Sequence, residues 1–182
     1  ASPVAVGPAT YLPAPANQSA TVSAGATDTA AIAYSAGGTR SAGCGLGGKQ
    51  TGDFHLSTTD GNGTTRDFEV IVPSPYDPST PLALAFVFHG AGGTEASAKS
   101  FGLQNAPGAA TAGIFVFPQG ITYQAFGVGW DDSCGGRDVV FFDKMLAAIE
   151  SSYCIDAGRV FAGGFSWGCD FVTALTCCRG ER

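Results

Sequence analysis

Seven consecutive apolar residues, Leu82-Ala-Leu-Ala-Phe-Val-Phe88, constrain the fold more than any other stretch of this chain. The run has no polar face, so a strand made of it must be covered on both sides. It is the longest apolar run present and is much too short to span a membrane. Three further strands follow from the same reasoning. Thr65 to Val72 alternates towards its end and stops at Pro73, Gly113 to Phe117 stops at Pro118, and Arg159 to Ala162 runs into Gly163-Gly164. Between the last two, Val140, Phe141, Met145, Leu146, Ile149 and Tyr153 recur at helical spacing, which predicts an amphipathic helix over 139–153. Phe171 to Cys178 reads as a second helix. Buried strands alternating with helices predict an α/β architecture: a mostly parallel sheet with helices on both faces.

Residues 1–41 differ in kind. They are dominated by Ala, Ser, Thr, Gly and Pro, carry only Asp28 and Arg40 as charges, and show no sustained period. Such a composition reads as a leader or linker ahead of a domain over 42–182, with an edge strand of a small β module as the rival reading. The net charge of −6 argues against nucleic acid and against anionic membranes as partners. Six cysteines show no zinc-ligand spacing, and only His55 and His89 could assist them, so no metal and no cofactor is expected. Disulfides in an oxidising compartment fit better, with the pairing left open. Two Asn-X-Ser/Thr patterns, at Asn17 and Asn62, are compatible with secretion. The chain begins at Ala1 with no Met and no signal-like segment, which reads as a signal peptide already removed and an extracellular protein.

The chemistry-bearing motif is Gly164-Phe-Ser166-Trp-Gly168. The bare pattern says little in a chain with 27 glycines, but here an apolar strand precedes it and a helical stretch follows. That context makes a nucleophile elbow, a tight strand-to-helix turn that lifts a serine hydroxyl above the end of the sheet. Gly164 and Gly168 flank it where a Cβ would clash, and the helix after it aims N–H groups at a developing oxyanion. The second piece is His89-Gly-Ala-Gly-Gly-Thr94, directly after the apolar strand. In an α/β-hydrolase such a loop supplies half of the oxyanion hole. The backbone N–H groups of Ala91 and Trp167 are the expected donors, and His89 and Gly90 are expected to support the loop. A phosphate loop is a poor reading, because neither Gly-Lys-Ser/Thr nor a full G-x-G-x-x-G is present. Trp130-Asp-Asp-Ser-Cys134 reads as solvated acids beside a packing indole.

Around Cys154-Ile-Asp156 and Arg159-Val-Phe-Ala-Gly-Gly-Phe-Ser-Trp-Gly168 the chain resembles the fungal feruloyl esterases of type D, also named type C, within the esterase and polyhydroxybutyrate-depolymerase-like α/β-hydrolases. Ser41-Ala-Gly-Cys-Gly45, the His89-Gly90 loop and Asp138-Val-Val-Phe141 add to the likeness, which covers roughly residues 41–182. The resemblance implies a secreted serine esterase that releases ferulic acid from plant cell-wall arabinoxylan, or cleaves a small aryl ester, through an acyl-enzyme on Ser166. Acetylxylan and polyhydroxyalkanoate esters are the alternative substrates. Cys169 stands where such enzymes often carry a small Gly, and Ala91 replaces a bulkier residue of the oxyanion loop.

In this fold the triad runs Ser, then Asp or Glu, then His. Asp170 and Glu181 follow Ser166, but no histidine does. The reading is therefore of the N-terminal part of a hydrolase domain, cut after the elbow, with the acid and the base outside this chain. On that reading the strand at 159–163, central in a full sheet, lies at an exposed apolar edge. The rivals are a binding protein on a decayed hydrolase scaffold and a split enzyme completed by another chain.

Overall fold

The structure, a computed structural model, describes residues 39–123 and 127–180. Its main sheet contains β1 (Gly52–Thr59), β2 (Thr65–Val72), β3 (Leu82–Phe88), β4 (Gly113–Pro118) and β7 (Ile155–Gly164), in the order β1-β2-β4-β3-β7. Strands β4, β3 and β7 run parallel, whereas β1 and β2 form an antiparallel hairpin that pairs antiparallel with β4. A separate two-stranded ribbon joins β5 (Ile121–Tyr123) to β6 (Gly127–Gly129). The helices are α1 (Glu95–Lys99), α2 (Ala109–Ala112), α3 (Arg137–Ser152) and α4 (Trp167–Arg179), with a 3-10 turn at Leu103–Asn105.

Strand alternation explains the layers. Leu84, Phe86 and Phe88 of β3, with Ile114 and Val116 of β4, face the stripe of α3 made by Phe141, Phe142, Met145 and Ile149, and Phe171 and Leu175 of α4 complete that core. Val87, Phe115 and Phe117 point to the other face, where Ala98 of α1 covers them. The unbroken apolar run is thus buried on both sides, and each large side chain so buried stabilises the fold by roughly 1.5–3 kcal/mol.

Two disulfides, Cys44–Cys154 and Cys134–Cys178, answer the pairing question, and Cys169 and Cys177 remain exposed thiols. The first bridge ties the beginning of the described residues to the loop before β7. Thr39 to Ser41, placed by sequence in the leader, run antiparallel along the beginning of β7: Ser41 N–H donates to Ile155 O and Ala157 N–H to Thr39 O. The rest of the expected leader, the Asn17 pattern and Glu181 lie outside the described residues. No described helix is long and apolar enough to cross a membrane.

Candidate active site

Adjacent parallel strands end at the same edge of a sheet. Because β3 pairs with β7 through Phe88 and Gly164, the loop after β3 and the turn after β7 meet there. Ser166 occupies that turn with φ 51° and ψ −123°, the one positive-φ residue other than glycine among the described residues. A non-glycine side chain in this region carries about 1–3 kcal/mol of strain, so the surrounding structure must hold it. It does so by close packing. A Cβ on Gly164 would sit 2.5 Å from the Gly168 carbonyl carbon, and one on Gly168 would sit 2.4 Å from Phe88 O. Both flanking glycines are needed for α4 to lie directly on the end of β3. Ser166 is exposed and caps α4, its carbonyl accepting from Cys169 N–H at 2.7 Å. Trp167 opens the helix, so the positive end of the α4 dipole lies at the serine.

The loop after β3 abuts this turn. A Cβ on Gly90 would lie 3.2 Å from Ser166 Cβ, which places the Gly90 backbone against the serine, with Ala91 exposed just beyond it. His89 is buried beneath the loop. Its Nε2 accepts from Gly120 N–H at 2.9 Å, so Nδ1 carries the proton and donates to Gly90 O at 2.8 Å. Burial, the largest influence, holds this imidazole below its usual pKa, and Arg66 adds to that. His89 is a neutral ring pinned at both nitrogens. His55 is exposed on β1, the opposite edge strand from β7. Neither histidine is offered to Ser166 as a base. Asp170 lies exposed in the first turn of α4.

Sequence reasoning missed what holds these parts together. The β5–β6 ribbon touches both halves of the site: Gly120 at its start binds His89, Val128 O accepts from Gly92 N–H at 2.8 Å, and Gly129 lies so close under Trp167 that a Cβ there would be 2.2 Å from the indole. The ribbon is anchored by Asp138, fully buried in the first turn of α3. The Asp138 carboxylate accepts from Tyr123 Oη and from Asp131 N–H, each at 2.6 Å, and pairs with buried Arg66. Arg66 in turn donates to Gln119 O at 2.8 Å and lies over the Phe141 ring. Burial, and then donation to Asp138, push the Tyr123 phenol well above its usual range. The only advance signal was Asp138 itself, an acid directly ahead of the apolar Val139-Val-Phe-Phe142 run of α3. The Trp130 loop behaves as read at its indole, which is buried against Phe88 and Phe171, but Asp131 is engaged, accepting from Ser133 N–H and Arg137 N–H.

A serine on a strained strand-to-helix turn, with a glycine loop against it at the ends of parallel strands, is the arrangement of an α/β-hydrolase, and the fold is shared with solved esterases. The chain superposes on a ferulic acid esterase with a TM-score of 0.55 at 18% identity, covering 73% of this chain and 57% of that one. The acetyl xylan esterase from Aspergillus awamori gives 0.56 at 20% identity, over 70% and 48%. This chain has an α/β-hydrolase fold. No family model matches it. Among curated proteins it is 34% identical over 125 residues to feruloyl esterase C of Emericella nidulans, covering 64% of this chain and 43% of that protein. It is 33% identical over 172 residues to the probable feruloyl esterase C of Aspergillus terreus, covering 89% and 55%. The resemblance to fungal feruloyl esterases seen at the elbow therefore extends over most of the chain, which spans about half the length of these relatives.

Proposed function

We propose that this chain is the nucleophile-bearing portion of a secreted serine carboxylic ester hydrolase acting on feruloyl esters of plant cell-wall arabinoxylan. The observation that carries the reading is Ser166, exposed on a strained elbow with the Gly90 loop packed against it. Ser166 Oγ attacks the ester carbonyl carbon, and its proton passes to a base. The tetrahedral oxyanion is held by the backbone N–H groups of Ala91 and Trp167 at the α4 N-terminus. Collapse breaks the carbon–oxygen bond to the sugar, which leaves with the proton, and the acyl group stays on Ser166. Water then attacks the acyl-enzyme by the reverse proton path and releases the free acid. With His89 pinned and His55 remote, the base is an imidazole from outside these 182 residues, as is the acid that orients it. No step needs a metal or cofactor.

The names of the relatives support ferulate as the acyl group. So does an exposed aromatic pair beside the nucleophile: Phe165 and Phe101, with ring centroids 6.1 Å apart, offer a surface that suits an aryl acyl group better than acetyl. Secretion is supported by the two disulfides. The test is turnover of methyl ferulate by the native-length protein. Ser166→Ala is expected to lower kcat/KM by at least about 10⁴-fold. An unchanged rate would remove Ser166 from the mechanism, and faster turnover of acetylated xylan or a polyhydroxyalkanoate would keep the reaction and replace the substrate. The second reading, a non-catalytic binding protein on a hydrolase scaffold, predicts no turnover even at native length.

A further inference from the structure

The Asn62-Gly-Thr64 pattern falls on the turn between β1 and β2, and the structure shows how that turn is built. Buried Asp60 accepts from the backbone N–H groups of Asn62 at 2.9 Å and Thr64 at 3.0 Å, and it pairs with Arg137 at the start of α3. Gly61 N–H donates to Arg137 O at 3.1 Å. The turn is therefore fastened to α3 through its backbone and through Asp60, and Asn62 is left exposed at the tip. Glycine at the middle position satisfies the requirement for a residue other than proline. The two disulfides fit an oxidising compartment, where N-linked glycans are also attached.

We propose that Asn62 is an N-glycosylation site. The Nδ2 of Asn62 forms a bond to the anomeric carbon of an oligosaccharide carried on a lipid pyrophosphate. The bond from that carbon to the pyrophosphate breaks, the lipid pyrophosphate leaves, and the amide proton is lost to a base of the transferase. The glycan then stands at the β1–β2 turn, on the side of the sheet away from β7, the strand that leads to Ser166. The proposal rests on the secretion reading above.

The experiment is expression of the whole chain in yeast behind a secretion signal, with Asn17→Gln as background so that one pattern remains. Secreted and cell-retained material are both mapped by mass, so a folding failure does not hide the result. The tryptic peptide from Gln50 to Arg66 is expected to carry an oligosaccharide that an amidase removes with conversion of Asn62 to Asp. The modification is expected to be lost in Asn62→Gln and Thr64→Ala and kept in Thr64→Ser. An unmodified Asn62 in chains whose disulfides have formed overturns the proposal and leaves the esterase reading intact. Glycan at Asn62 with Cys44–Cys154 and Cys134–Cys178 unformed keeps the proposal and counts against the secretion reading instead.

Discussion

Ser166 and His89 are each held in a state that an isolated residue would avoid, and each has a measurable consequence. At Ser166 the strain is conformational. Replacing it by glycine, which accepts positive φ freely, is expected to raise stability by about 1–2 kcal/mol in urea unfolding. A loss of stability would show that the turn is not strained. At His89 the strain is electrostatic. Its native pKa lies below that of the unfolded chain, so as pH falls below about 6.5 the unfolded state takes up a proton that the native state refuses. Stability is flat above that value and declines below it, until the native imidazole is also protonated and Nε2 can no longer accept from Gly120. Unfolding measured from about pH 8 to about pH 5 should show this slope, and His89→Gln should remove it. The window lies above the pH at which Asp60 and Asp131 act: burial raises both carboxyls, but their hydrogen bonds outweigh it and hold them below the usual carboxylate range. An identical slope in the variant would assign it to other groups.

Among the elements, the β5–β6 ribbon matters out of proportion to its size, because it touches the His89 loop and Trp167 together. Its anchor is a buried ion pair, and removing one partner weakens the hold on the other charge. Asp138→Asn keeps the shape but leaves Arg66 only Asp60, 3.6 Å away and shared with Arg137, and a loss of about 1.5–3 kcal/mol is expected in denaturant unfolding. A change within 1 kcal/mol of zero would mean that the pair does not hold the ribbon. The sequence made β2, β3 and most of β4 legible to within a residue, because their apolar runs are bounded by Pro or Gly. It placed α3 within two residues, by its stripe. It did not reveal β1, whose largely polar residues include a single buried aromatic, Phe54, and whose strand character comes from pairing with β2. The three-residue strands β5 and β6 are too short to show a period. At the site, the Ser166 turn and the His89 loop were legible because each follows a readable strand. The Arg66–Asp138 contact joins residues 72 positions apart, and no local pattern announces it.

At the scale of the whole molecule, the candidate nucleophile stands at one margin of the described sheet. On the outer side of β7, Thr39 to Ser41 pair with its first residues, and no described strand continues along the rest. Phe161 is 56% exposed there, above a groove of about 400 Å³ between α3 and α4 lined by Phe142, Leu146, Val160 and Val172. An apolar edge of this kind invites pairing with another strand. The same margin is where a base must approach Ser166 if the serine is to lose its proton. The proposed oxyanion donors lie on this chain and neither His55 nor His89 is offered to Ser166, so Ser166 is expected to become reactive in the native-length protein. The direct measurement is treatment of that protein with a fluorophosphonate, followed by mass mapping of the tryptic peptide from Val160 to Arg179. One phosphonyl group is expected on Ser166, absent in Ser166→Ala, with loss of ester turnover in step with labelling. Ester turnover that persists with Ser166 unlabelled, or a label that maps to another residue, would contradict it.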